Sequence, residues 1–188
     1  RTREGMEASI LQTALLGAAR GLLGDAVRTM LVRHAPVLGE DCAAWCDALL
    51  EGRTIWVRHP AARGVFVHPL DVVCCGLTLG ARAFRCGEGG VYNIGTDERS
   101  VGTRQSAARR LAMRHGGAGT AQEETEDGEP PAQLLDGSAA RRLCGAACRL
   151  DVDQALDLLF EQRRAARAGQ EEAAIRRMTR TYLEGCRA

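Results

Sequence analysis

The stretch GGVYNIGTDERSV, Gly89 to Val101, is a short apolar run that ends on Asn-Ile-Gly, turns through polar residues and enters a helix. Its β-rich residues, bounded by glycine, predict a strand at VYNIG with Thr96 to Ser100 as the turn. A helix follows to His115, and Gly116-Gly117 stops it. This order is either a plain strand, turn and cap or the edge of a binding site. The rest of the chain has to decide between them.

Upstream, EASILQTALLGAARGLLG predicts a helix over about 6–23, and VRTMLVR a strand. Cys42 to Leu50 reads as a short amphipathic helix. TIWVRH is a β-rich run ended by Pro60, and GVFVHP is a second short strand. Asp71 is placed to cap a helix carrying VVCCGLTLGARAF. Downstream, residues 116–133, GGAGTAQEETEDGEPPAQ, form a polar, acidic, mobile loop. Ser138 opens a short helix ending near Cys148. Asp151 or Asp153 starts a long helix that buries Val152, Leu156, Leu159 and Phe160. A second stripe, Ile175, Met178, Tyr182 and Leu183, follows at helical spacing. Helices alternating with short strands make the class α/β. Three segments result: an α/β core over 1–115, the acidic loop over 116–133, and a C-terminal helical segment over 134–188.

Bulk properties narrow the function. The 188 residues are 45% hydrophobic and 26% charged, enough for one core or two small lobes. A net charge of +1 supplies no field that would draw the chain to nucleic acid or a membrane surface. No apolar run approaches the roughly 18–20 residues of a spanning helix. No signal peptide is legible, which predicts a soluble protein with reduced thiols. The start at Arg1 reads as a processed product, such as an organellar protein after transit-peptide removal, or as part of a longer chain. All 25 basic residues are arginine, so any mechanism needing a lysine has none in these 188 residues.

Four pieces, in order, resemble the C-terminal half of the extended short-chain dehydrogenase/reductases, which include the NAD-dependent nucleotide-sugar epimerases and dehydratases. MLVRHAPVLGED (30–41) is similar to the family's Leu-Arg-x-x-x-Val-Tyr-Gly-Pro strand and loop. RGVFVHPLDVV (63–73) is similar to Arg-Asp-Phe-Val-His-Val-x-Asp-Val. VYNIGTDERSV (91–101) is similar to Tyr-Asn-Ile-Gly-x-Gly-x-x-x-Ser-Val. LLDGSAARRLCGAACRLDVDQAL (134–156) is similar to Asp-x-Ser-Lys-x-x-x-x-Leu-Gly-Trp-x-Pro and the helix after it. The resemblance spans roughly residues 28 to 160. It implies a partial or degenerate Rossmann-like architecture with a C-terminal helical extension.

The resemblance also implies site residues. A family arginine grips the nucleotide diphosphate, since a guanidinium forks two oxygens. Arg63 is the candidate, although it stands one residue too far from His68. His68, Tyr92 and Asn93 complete the implied substrate-binding set. The alternative is that Arg63 is a solvated turn residue, His68 packs or caps, and Tyr92 and Asn93 tie a strand end to its loop. The family's catalytic Tyr-x-x-x-Lys is missing. Neither Tyr92 nor Tyr182 begins it, and the Lys, Trp and Pro positions of the fourth piece read Ala139, Ala146 and Cys148.

Two further patterns carry alternatives. GAARGLLG sets Gly17, Gly21 and Gly24 near the spacing of a dinucleotide phosphate loop, where glycines let backbone N–H groups approach a pyrophosphate. The competing reading is an Ala/Gly-rich helix packed on a sheet. CAAWC (42, 46) and CGAAC (144, 148) place paired thiols one helical turn apart, as a zinc site would need, or as small hydrophobes in a core. The missing catalytic pair therefore implies a chain without independent catalysis and without a cofactor of its own, with NAD and a nucleotide sugar as the alternative ligands. It would act as an accessory or structural subunit of a larger assembly. The stripe of Ile175, Met178, Tyr182 and Leu183 lies beyond the resembling stretch, and either docks the C-terminal helix on a protein partner or folds it back on the chain's own core. Two alternatives stand beside it: the substrate-binding half of an epimerase or dehydratase whose Rossmann half lies elsewhere, and a small zinc-stabilised interaction domain.

Overall fold

A computed structural model of the chain describes residues 30–34, 38–86, 90–94, 98–117, 119–123, 135–145 and 149–185. The helix expected over 6–23 and the candidates Gly17, Gly21 and Gly24 lie outside them.

In chain order the elements are β1 (Met30–His34), α1 (Glu40–Leu50), β2 (Ile55–Arg58), β3 (Arg63–Val65), α2 (Pro69–Cys86), β4 (Gly90–Ile94), β5 (Val101–Thr103), α3 (Arg104–Arg114), β6 (Thr120–Glu123), α4 (Ser138–Cys144), α5 (Val152–Arg167) and α6 (Glu171–Gly185). The described strands form three ribbons. β1 and β4 run parallel with Val32 opposite Tyr92 and Arg33 opposite Asn93. β2 and β6 run parallel, Ile55 opposite Thr120. β3 and β5 run antiparallel, Arg63 opposite Thr103. The class is α/β, with short parallel strands and several helices.

Side-chain pattern explains the elements. Ile55 and Val57 of β2 are buried while Trp56 and Arg58 face out, the period of two that a half-buried strand requires. Glu40 and Asp41 place negative charge on the first turn of α1, where the helix dipole favours it. Asp151 and Gln154 form a reciprocal capping box that starts α5, so Asp151 and not Asp153 is the N-cap.

Two apolar clusters hold the elements. In one, Trp45, Cys46 and Leu49 of α1 meet Ile55, Val57, Phe66, Leu111 of α3, and Leu156 and Phe160 of α5. In the other, Val67 just before α2 and Cys75 and Leu79 of α2 meet Tyr92 and Ile94 of β4 and Ala140 of α4.

Three expectations are corrected. The segment read as a loop over 116–133 contains β6, a polar strand that exists because β2 offers it a backbone ladder. Val101–Thr103, read as helix, is β5. Its partner is β3, and α3 begins only where the Thr103 hydroxyl accepts the Ser106 N–H. The short helix α4 stops at Cys144 and not near Cys148, because Gly145 takes φ +88° and its N–H closes on the Arg141 carbonyl.

Candidate functional site

Three of the four implied substrate residues belong to the turn leading into α2 and to the strand beside it. His68 immediately precedes α2 and is 3% exposed. Its Nδ1 accepts the Leu70 N–H at 3.2 Å, so the ring caps its own helix. That bond leaves the proton on Nε2, which is buried with no hydrogen-bond partner among the described residues. Burial pulls the imidazole down to about 4, so the ring is neutral at pH 7.

Tyr92 is buried in the second cluster, the same one that holds Val67 next to His68. Asn93 donates from Nδ2 to the Asp136 carbonyl at 2.8 Å, while its Oδ1 is buried without a partner among the described residues. Asp136 in turn accepts from the Ser138 N–H and hydroxyl. These bonds hold its carboxyl below the usual carboxylate range. Asn93 thus fastens the end of β4 to the entrance of α4. Arg63 stands elsewhere, exposed on β3, in a different ribbon from Tyr92 and Asn93.

Asp71 is 1% exposed and lies in the first turn of α2. It does not cap that helix as expected. Its carboxylate accepts the Arg149 N–H at 3.0 Å and the Leu150 N–H at 3.2 Å, and the Tyr182 hydroxyl at 2.5 Å. Seventy-eight and more positions separate it from these donors, a junction for which local sequence carries no signal. Burial pushes the Asp71 carboxyl up, against the pull of its three donors. The Tyr182 hydroxyl is pushed up as well, by burial and then by the carboxylate it donates to.

A second cluster also escaped sequence reasoning. Asp157 of α5 sits 3.0 Å from Nε2 of His115, whose ring stacks on Phe160 at 3.8 Å, and it also pairs with Arg114. Arg110 and Arg114 bind Asp153 one turn earlier. This network clamps α3 to α5. Beside it, a groove of about 460 Å³ opens between α5 and α6, walled by Leu150, Leu158, Met178 and Tyr182.

The cysteine pair in α1 is buried in the first cluster. Burial pushes the Cys42 and Cys46 thiols up to about 12, which disfavours the thiolate that nucleophilic attack and metal ligation both require. Among the described residues, no group of three or more His, Cys, Asp or Glu is placed to hold a metal ion. Cys148 lies outside those residues. Likewise, no described helix is long and apolar enough to cross a membrane.

Comparison with solved structures follows from this fold. UDP-glucose 4-epimerase from Bifidobacterium longum, solved with NAD+ and UDP, matches with a TM-score of 0.65 at 13% identity, over 86% of this chain and 54% of that one. UDP-glucose-4-epimerase from Stenotrophomonas maltophila, solved with NAD and formylated UDP-arabinopyranose, matches with a TM-score of 0.66 at 15% identity, over 85% and 54%. The chain has part of their Rossmann-like fold. dTDP-glucose 4,6-dehydratase from Bacillus anthracis, solved with NAD, matches with a TM-score of 0.54 at 14% identity, over 70% and 43%. The chain thus spans about half the length of the structures it matches, and at these identities the likeness is one of fold. No family model matches the chain, and no curated protein matches it.

Proposed function

We propose that the chain is a non-catalytic relative of the NAD-dependent nucleotide-sugar epimerases and dehydratases, working as an accessory or structural subunit of a larger complex. The observation that carries this reading is the commitment of three of the four implied substrate residues to the chain's own packing. His68 caps α2, Tyr92 fills a core and Asn93 holds the entrance of α4. A ligand would have to compete with each of these ties. The missing Tyr-x-x-x-Lys supports the same reading, because these 188 residues contain no lysine to lower the pKa of a proton-exchanging tyrosine. The partner surface is the outer face of α6, where Ile175 and Leu183 are 40% and 46% exposed.

Calorimetric titration of the chain with NAD, NADP and UDP-glucose tests the proposal. No saturable heat is expected at micromolar ligand. A dissociation constant of about 10 μM or below for any of them would overturn it.

A second reading is favoured by one observation, the match over only 54% of the epimerase chain. Under it, this is the substrate-binding half of an enzyme whose Rossmann half lies elsewhere and brings NAD. Adding a separate Rossmann half would then create UDP-glucose binding that the chain alone lacks.

A further inference from the structure

We infer that α6 is a hinged strap, latched to the rest of the fold by the Tyr182–Asp71 hydrogen bond and able to open while α1 to α5 stay folded. The inference does not depend on what the chain binds.

Three features converge on it. First, α6 buries little: of its described side chains only Ala174, Met178 and Tyr182, a single ridge at spacing four, are buried. Its remaining described side chains are exposed or half-buried, Arg176, Arg177 and Arg180 among them. Second, it leaves α5 through a sharp turn. Gly169 takes φ +69° with open space where a side chain would be, and the Gln170 N–H bonds back to the Ala165 carbonyl. Besides these backbone bonds, no side chain fills the outside of the turn at Gly169. Third, among the described residues the tip of α6 is tied down by one side-chain hydrogen bond. Tyr182 donates its hydroxyl to Asp71 in the first turn of α2, where Asp71 already holds the Arg149 and Leu150 N–H groups.

Among the described residues, opening therefore breaks one buried hydrogen bond, the exposed and long Gln162–Glu171 bond, and one narrow apolar ridge. Asp71 keeps its two backbone donors, so the junction beneath the strap persists. What opening uncovers is the groove wall of Leu150 and Leu158 together with the inner ridge of α6. A free helix of this length is marginal in water, so an open strap frays.

Trypsin reports that fraying, since it cuts this lysine-free chain at arginine alone. Cleavage after Arg176, Arg177 and Arg180, followed by mass spectrometry on the full chain, is expected to rise about tenfold in Tyr182→Phe. Cleavage within α3, at Arg109, Arg110 and Arg114, is expected to stay unchanged. Parallel acceleration at both sets, or none at the α6 set, overturns the latch. Hydrogen exchange on the unaltered chain decides independently of any variant. Amides of α6 are expected to exchange at least tenfold faster than those of α5. Equal protection would mean that α6 opens only with the whole fold, and the strap would be refuted.

Discussion

Arg163 of α5 grips Asp47 of α1 across 116 positions of sequence, with Nε donating to one carboxylate oxygen at 3.1 Å and Nη2 donating to the other. Arg167, one turn on, reaches both Asp47 and Glu51. Hydrogen bonding to Arg163 is the main reason the Asp47 carboxyl is held below its usual range. The pair is part-exposed, so solvent screens it. Arg163→Ala is expected to cost about 1 kcal/mol, and about half of that at 1 M salt. Urea melts at two ionic strengths check both figures.

Protonation of His68 is expected to make stability fall with acid. Its folded-state pKa of about 4 lies below the ordinary 6.5, so the stabilisation is whole above pH 6.5 and fades as pH drops toward 4. The full span corresponds to about 3 kcal/mol. The raised Asp71 carboxyl works in the opposite sense. Its burden is present above its folded-state pKa and is relieved as pH falls through it. His68→Asn keeps an acceptor for the Leu70 N–H and removes the titration. The difference between the two chains' stability profiles should therefore slope between pH 6.5 and 4 and be flat above. A flat difference throughout would show that the ring is not buried in solution.

Tyr92 and Asn93 are expected to matter to stability before any ligand is added. Tyr92→Ala removes a buried ring from the second cluster and should cost about 3–5 kcal/mol. Asn93→Ala loses the bond to the Asp136 carbonyl and should cost about 1 kcal/mol. Denaturant titration of the ligand-free chain measures both. An undisturbed Tyr92→Ala chain would return this residue to a binding role.

Gly117 is expected to reject a methyl group. A Cβ there would lie 2.2 Å from Cδ2 of Leu49 and 3.4 Å from the Ala112 backbone. Leu49 is itself packed in the first cluster and has little room to retreat. Gly117→Ala should destabilise by about 1–3 kcal/mol. Thermal melting compares it with Gly116→Ala, where the strain comes instead from a φ of +68° in open space.

The two faces of α6 are expected to answer differently to charge. Ile175→Asp with Leu183→Asp alters exposed positions and should leave the melting temperature nearly unchanged, and under the proposed docking role it should weaken co-purification with partner chains. Met178→Asp buries a charge against α5 and should unfold at least α6. Circular dichroism and co-purification separate the outcomes.

Much of this was legible in the sequence. The alternation at Ile55 to Arg58, the apolar run of α2, the capping residues of α5 and the strand at VYNIG all announce themselves, because each depends on neighbours within one helical turn or one strand. The α/β class followed from their order, whereas the resemblance rested on four motif-like pieces, and the likeness to the epimerases is one of fold. Tertiary structure alone decided what depends on distant partners. β5 and β6 are three or four unremarkable residues that become strands only because β3 and β2 present unpaired backbone groups. Asp71 abandons its own helix for donors at 149, 150 and 182, since a buried carboxylate takes whatever N–H and O–H groups the packing brings to it. The apolar stripe of α6 was read as one surface, yet Met178 and Tyr182 turn inward while Ile175 and Leu183 face out. Helical periodicity places residues on a face, but which face meets the core is set by the neighbouring helix.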